Sequence, residues 1–246
     1  MRFDKFLYLI LNIRKIPHFL VEYIRFRRCV HGWDCRFSDL LPMLNDRTGV
    51  MRFDAHYVYH TAWAGRVLKE LTPKEHVDIS SSIMFCGIAS AFMRIRHYDY
   101  RAPHLTLPGL TCGSQDLARL SFENNSIASL SCMHVIEHIG LGRYGDQINP
   151  VGDYLAAQEL KRVLAPGGNL LIVVPVAEKA RIRFNGHRIY DLAKVKSLFT
   201  GLELIEFSFL NDSNSDKFTR HATELDVRGS DYGCGCFVFR KPLAGQ

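Results

Sequence analysis

Two buried-looking strands joined by one helical segment constrain the fold of this chain more than any other feature. Residues 127–133 read as a strand, residues 152–164 as a helix, and residues 170–174, after Pro166-Gly167-Gly168, as a second apolar strand. Parallel strands connected in this way take the right-handed crossover of a βαβ unit. The polar stretch His134-Val-Ile-Glu-His138 then falls at the carboxyl edge of the sheet, where open α/β sheets bind ligands.

The alternation extends in both directions. A helix is expected over residues 57–71, ending before Pro73, with strands at 76–79, 94–98, near 110, 202–209 and 236–240 and helices or turns at 84–92 and 190–199. This order predicts an α/β fold: a doubly wound, mostly parallel sheet with helices on both faces. The last two strands lack a helix between them, so an antiparallel edge strand is expected. Residues 1–54 are expected to form an N-terminal amphipathic helical extension and residues 55–246 the main domain.

A chain of 246 residues with 47% hydrophobic content can build a real core. Its formal charge of +6 is concentrated at one end: residues 1–30 carry seven Lys and Arg against Asp4 and Glu22, leaving the rest nearly neutral. That excludes a nucleic-acid footprint on the main domain. Phe3, Phe6, Leu7, Ile10 and Ile13 form one helical stripe, Pro17 interrupts it, and Phe19, Leu20, Tyr23 and Ile24 resume it with basic residues opposite. Such a segment packs on its own domain, joins a homodimer, or makes peripheral membrane contact through residues 1–28. No apolar run is long enough to span a bilayer. Seven cysteines, an odd number without a secretory leader, read as reduced thiols of a cytoplasmic protein; Cys234-Gly-Cys236 is spaced too closely for a usual zinc pair and reads as buried strand residues.

Residues 125–175, above all Glu159-Leu-Lys-Arg-Val-Leu-Ala-Pro-Gly-Gly168, resemble class I S-adenosylmethionine-dependent methyltransferases. Extended back to Asp78 the match covers about 100 residues. Asp78-Ile-Ser-Ser81, the segment 131–146 and Tyr232-Gly-Cys-Gly-Cys236 look like a largely uncharacterised bacterial branch of that superfamily. The resemblance implies a Rossmann-like methyltransferase fold with S-adenosylmethionine as cofactor. The family's acid-x-Gly-x-Gly turn corresponds here to Asp78, Ser80 and Ser82, so both glycines are serine, and hydroxyls such as that of Ser81 are candidates to replace lost backbone contacts. Asp99, 21 residues after Asp78, suits the ribose hydroxyls; Asp116 matches the adenine position and equally suits a helix N-cap.

His138 and His134 are the candidate catalytic bases, with His134 also beside the cofactor and Asp146 a further catalytic candidate. Arg143 and Tyr144 in a glycine-rich, lid-like loop, together with Arg181, Arg183, His187 and Arg188, are candidate substrate-binding residues that fit an anionic acceptor. The expected function is O-methylation of a small-molecule or glycan acceptor, a sugar or surface-polysaccharide precursor. Two alternatives stand beside it. Loss of the turn glycines fits a cofactor-free scaffold. His134, Glu137 and His138 match the H-x-x-E-H signature of zinc hydrolases, which needs both histidines on one helical face; Gly140, Gly142 and Gly145 oppose such a helix. No residue is assigned to a metal.

Overall fold

The computed structural model describes residues 12–214 and 217–243. The stripe residues Phe3, Phe6, Leu7 and Ile10 lie outside these. The chain divides into two compact units between Phe53 and Asp54.

In the first unit, Pro17 stands in the first turn of a helix, α1 (Ile16–Cys29), where its missing N–H has no intrahelical partner to lose. None of its residues is buried. Tyr23 meets Phe37 edge-on at 6.2 Å, and Glu22 pairs with Arg47. Among the described residues no helix is long and apolar enough to cross a membrane.

The second unit begins with α2 (Ala55–Leu71). Asp54 caps it by accepting a bond from the Tyr57 N–H at 3.2 Å, and Thr72 ends it in a left-handed conformation. His60, Trp63, Ala64, Val67 and Leu68 recur at helical spacing and form its buried face. Then follow β1 (Glu75–Ile79), α3 (Ile83–Ala89), β2 (Arg94–Asp99), β3 (Leu110–Ser114), β4 (Ile127–Met133), α4 (Gly152–Val163) and β5 (Leu164–Val176). The rest comprises a hairpin of β6 (Arg181–Arg183) and β7 (His187–Ile189), α5 (Leu192–Leu198), β8 (Glu203–Asn211), β9 (Phe218–Thr219), α6 (Glu224–Val227) and β10 (Gly233–Arg240).

Among the described residues, eight strands form one sheet in the order β3-β2-β1-β4-β5-β10-β8-β9. The first five are mutually parallel, and β10 runs antiparallel between β5 and β8. The expected antiparallel pairing of the last long strands is therefore present, with β10 inserted inside β8 rather than outside it. Alternate residues of β5 serve opposite faces. Leu170, Ile172 and Val174 join the core that includes α4 and α5, whereas Leu171 and Val173 join the core under α2 and α3. Both faces are covered, which is why β5 reads as a continuous apolar run.

The Glu159–Gly168 segment has a structural explanation. Arg162 is bonded to both oxygens of Glu159 at 2.7 Å and donates to the carbonyls of Leu120 and Phe122 at 2.8 Å, fastening the loop before β4 to α4. A Cβ on Gly168 would lie 2.8 Å from the Ala165 oxygen, so only glycine fits that approach.

Candidate functional site

The site is assembled at the carboxyl ends of β1, β2 and β4. After β1, Ser80 takes the left-handed conformation (φ +58°) that a glycine would supply, and its N–H bonds to the Tyr98 oxygen at 2.7 Å. Ser82, at φ −59°, needs no glycine. The turn thus retains its shape with one strained serine.

Asp78 and Ser81 face inward. Asp78 accepts from His97 Nδ1 at 2.9 Å, from the Ser81 N–H at 3.1 Å and from the Ser131 hydroxyl. Burial works to raise its carboxyl pKa, but these three donors hold it below the usual carboxylate range. Ser81 Oγ accepts the Met133 N–H at 3.0 Å and so ties the turn to β4. Behind them His76, driven down to about 4 by burial, is neutral and bridges Ser129 and Ser131 at 2.7 and 2.8 Å. Asp99 and Asp116 are open by contrast. Among the described residues, the Asp99 carboxylate accepts only the Arg101 N–H (2.8 Å) and the Asp116 carboxylate only the Ala118 N–H (2.9 Å). No helix follows Asp116, so it is not an N-cap.

His134 follows β4 in a second left-handed position (φ +57°), and Ile136–His138 form one 3-10 turn. This geometry sends the two histidines to different partners, in place of the common helical face that a zinc hydrolase needs. His134 Nδ1 lies 3.0 Å from Glu137 Oε1 and its Nε2 lies 3.5 Å from Cys234 Sγ. Burial opposes charge on both His134 and Cys234, yet their mutual attraction, with Glu137 behind His134 and Cys236 beside Cys234, raises the imidazole and lowers the thiol. The His134 ring also stacks with His56 at 5.5 Å and Tyr57 at 5.7 Å and meets His60 edge-on at 5.0 Å.

His138 donates from Nδ1 to the Gly186 oxygen at 2.7 Å, which leaves Nε2 as the basic nitrogen of the neutral ring. Arg143 shares that oxygen at 3.0 Å, Tyr144 meets the His138 ring edge-on at 5.8 Å, and His187 does so at 6.2 Å. Tyr232 bridges the two groups, 5.6 Å from His187 and 5.4 Å from His56, so ring contacts run unbroken from His138 to His134. Arg183 lies over Tyr232 at 5.3 Å, while Arg181 pairs with Asp231 at 2.7 Å.

Two candidates are committed elsewhere. Asp146 accepts the N–H groups of Gly140, Gly142 and Tyr144 at 2.7 to 3.2 Å and organises the lid-like loop. Burial would raise its carboxyl, but those N–H donors hold it below the ordinary value. Arg188 is buried and donates to the oxygens of Ile139 (2.7 Å) and Pro150 (3.1 Å), with Asp153 at 3.5 Å, so its guanidinium fastens the loop after β4. Conversely, His56, His60, Tyr232 and Cys234 were not among the candidates. The H-x-x-x-H spacing of residues 56–60 was the available signal, since it places both imidazoles one helical turn apart.

The fold is shared with solved structures at low identity. The 1,6-didemethyltoxoflavin-N1-methyltransferase of Burkholderia thailandensis, solved with S-adenosylhomocysteine, is similar at 12% identity and a TM-score of 0.53, covering 74% of this chain and 78% of that one. The N-methyltransferase NodS of Bradyrhizobium japonicum, also with S-adenosylhomocysteine, is similar at 14% and 0.51, covering 76% and 88%. The [4+2]-cyclase SpnF is similar at 13% and 0.50, covering 74% and 82%, so the same architecture carries other chemistry. No curated protein matches the chain in sequence. A family profile described as "Caenorhabditis protein of unknown function, DUF268" matches residues 116–241, and nothing in that match supports the bacterial placement. The profile spans half of the chain, including the site residues from Asp116 to Cys234, and the chain belongs to that family, with a class I methyltransferase fold.

Proposed function

We propose that this protein is an S-adenosylmethionine-dependent methyltransferase. The observation that carries the reading is Ser80: a serine held at φ +58° preserves the turn after β1 although its glycine is gone. Holding a non-glycine residue there costs on the order of 1 kcal/mol, a strain that persists at ligand sites. The residues present fit the cofactor at Asp99 and Asp116, whose carboxylates keep unused oxygens at the carboxyl edge for ribose hydroxyls and the adenine amino group. Asp78 and Ser81 support the turn from behind, and Ser80 lines it.

When bound, S-adenosylmethionine supplies a methyl group on a sulfonium, an electrophile that needs an aligned nucleophile more than it needs acid-base help. His138 takes the acceptor proton on Nε2, with the ring tautomer set by Gly186. Arg143, Tyr144, Arg183, His187 and Tyr232 form the acceptor wall, with cations for an anionic group and ring faces for a sugar. A small or glycan-linked hydroxyl bearing a negative charge is the acceptor class this wall suits.

Calorimetric titration of the full chain with S-adenosylhomocysteine tests the reading. Saturable binding is expected, weakened by about 1 to 3 kcal/mol in Asp99→Ala, the range for a hydrogen bond to a charged group. Absence of binding at millimolar ligand overturns the reading in favour of a scaffold that has kept the fold without the cofactor.

A further inference from the structure

We propose that His56, His134 and Cys234 form a binding site for a divalent ion of the zinc class. Three elements far apart in sequence deliver them: the first turn of α2, the left-handed residue after β4, and the start of β10. One ligand atom from each lies within 4.8 Å of the other two. The match to the family profile covers His134 and Cys234, whereas His56 comes from outside it.

The strongest support lies behind the imidazoles. His56 Nε2 is held by Asp212 Oδ1 at 2.6 Å, and His134 Nδ1 by Glu137 Oε1 at 3.0 Å. Each carboxylate fixes one nitrogen as the N–H and leaves the opposite nitrogen as a lone pair. That leaves His56 Nδ1 to ligate, and His134 Nε2 once the proton it shares with Cys234 is displaced. A carboxylate on the far nitrogen of each ligating histidine is the recurrent outer support of metal sites, because it sets the tautomer and raises ligand basicity.

The donor set selects the ion. One thiolate with two imidazoles suits zinc and its borderline-soft neighbours and disfavours calcium and magnesium, which need oxygen ligands. Three protein ligands leave the fourth tetrahedral position for water or another donor. Binding joins the ion to one thiolate and two neutral imidazoles, and the proton held between Cys234 and His134 leaves to solvent. Cys234 is fully buried, which favours a ligand over an accessible nucleophile, although a Cys-His-Glu arrangement is present. The second cluster, Asp78, Cys86 and His97, carries no such proposal, because its carboxylate and imidazole already bond to each other at 2.9 Å.

The test is cobalt titration of the chelator-stripped full chain, followed by absorbance. One equivalent is expected, with intense tetrahedral visible bands and a near-ultraviolet thiolate-to-cobalt band, both bleached by zinc. Cys234→Ser abolishes the thiolate band, whereas Cys86→Ser and His138→Ala keep it. Asp212→Asn, a change at a half-exposed carboxylate that leaves the core intact, weakens binding about 10- to 100-fold. The proposal is overturned if wild type binds no cobalt or zinc, if Cys234→Ser retains the band, or if Asp212→Asn binds as wild type does. Iodoacetamide labelling of Cys234 that is unaffected by added zinc also overturns it and favours a nucleophilic thiol. The readout is the metal itself, so failure of S-adenosylhomocysteine binding leaves this inference standing.

Discussion

Asp78 of β1 and His97 of β2 are direct register partners on adjacent parallel strands, and their side chains meet at 2.9 Å inside the sheet's buried face. Removing one member leaves the other buried without its partner. Asp78→Ala is therefore expected to destabilise the fold by about 3 to 5 kcal/mol, measured by urea denaturation. A loss under 1 kcal/mol would mean that the network relaxes around the gap.

Acid should act through the same kind of group. Glu206, buried and bonded to Trp63, Ser208 and Arg220, is held at about 2 because its donors outweigh the desolvation that would raise it, and Asp78 is likewise held low. A carboxylate whose folded pKa lies below its unfolded value stabilises fully above the unfolded value and loses that contribution as pH falls toward the folded one. Stability is expected to hold at and above pH 4.5 with respect to Glu206 and to decline from there toward about pH 2. Urea midpoints across that window should drop less steeply in Glu206→Gln.

At Ser80, glycine removes a steric penalty that serine bears at φ +58°. Ser80→Gly is expected to gain up to about 1 kcal/mol, and Ser80→Val to lose at least as much. Scanning calorimetry distinguishes these from the opposite order, which would show that the serine hydroxyl outweighs the strain.

Arg188→Met should leave the oxygens of Ile139 and Pro150 without their donor, at a cost of at least about 2 kcal/mol. The loop at 140–150 should become an early protease target. Arg188→Lys should not restore it, because one ammonium cannot reproduce a planar fork reaching both oxygens and Asp153. Wild-type stability in either variant would remove Arg188 from the loop's support.

For catalysis, His138→Ala is expected to leave S-adenosylhomocysteine affinity nearly unchanged while lowering methyl transfer about 10²- to 10⁴-fold, read with labelled cofactor on an identified acceptor. Full turnover in that variant would move proton removal to another group or to solvent.

Strand and helix positions were legible because covered parallel strands are apolar throughout and α2 repeats its buried face at residues 60, 63, 64, 67 and 68. Asp99 could be placed for a related reason, because distance along the chain maps onto neighbouring strand ends in a βαβ sheet, whereas Asp116 rests on the resemblance to the methyltransferases. Their bonding state, and that of Arg188 and Asp146, was not legible. An arginine in a basic run looks alike whether it is solvated or buried against carbonyls. Cys234-Gly-Cys236 reads as buried strand sequence, but His56 lies 178 positions before Cys234, and no local pattern encodes the meeting of a helix start with a late strand.

The place of β10 has a consequence for how the molecule comes into being. It follows β5 and β8 in sequence yet lies between them, so it closes a gap that stays open until residue 240 has been synthesised. Before then β5 and β8 each present an unpaired edge to the cell, the kind of surface that recruits other strands. Cys234 arrives with that same strand. Chains interrupted before it therefore lack both a closed sheet and the thiol, so a ribosome product can be competent at this site only after its sheet is complete.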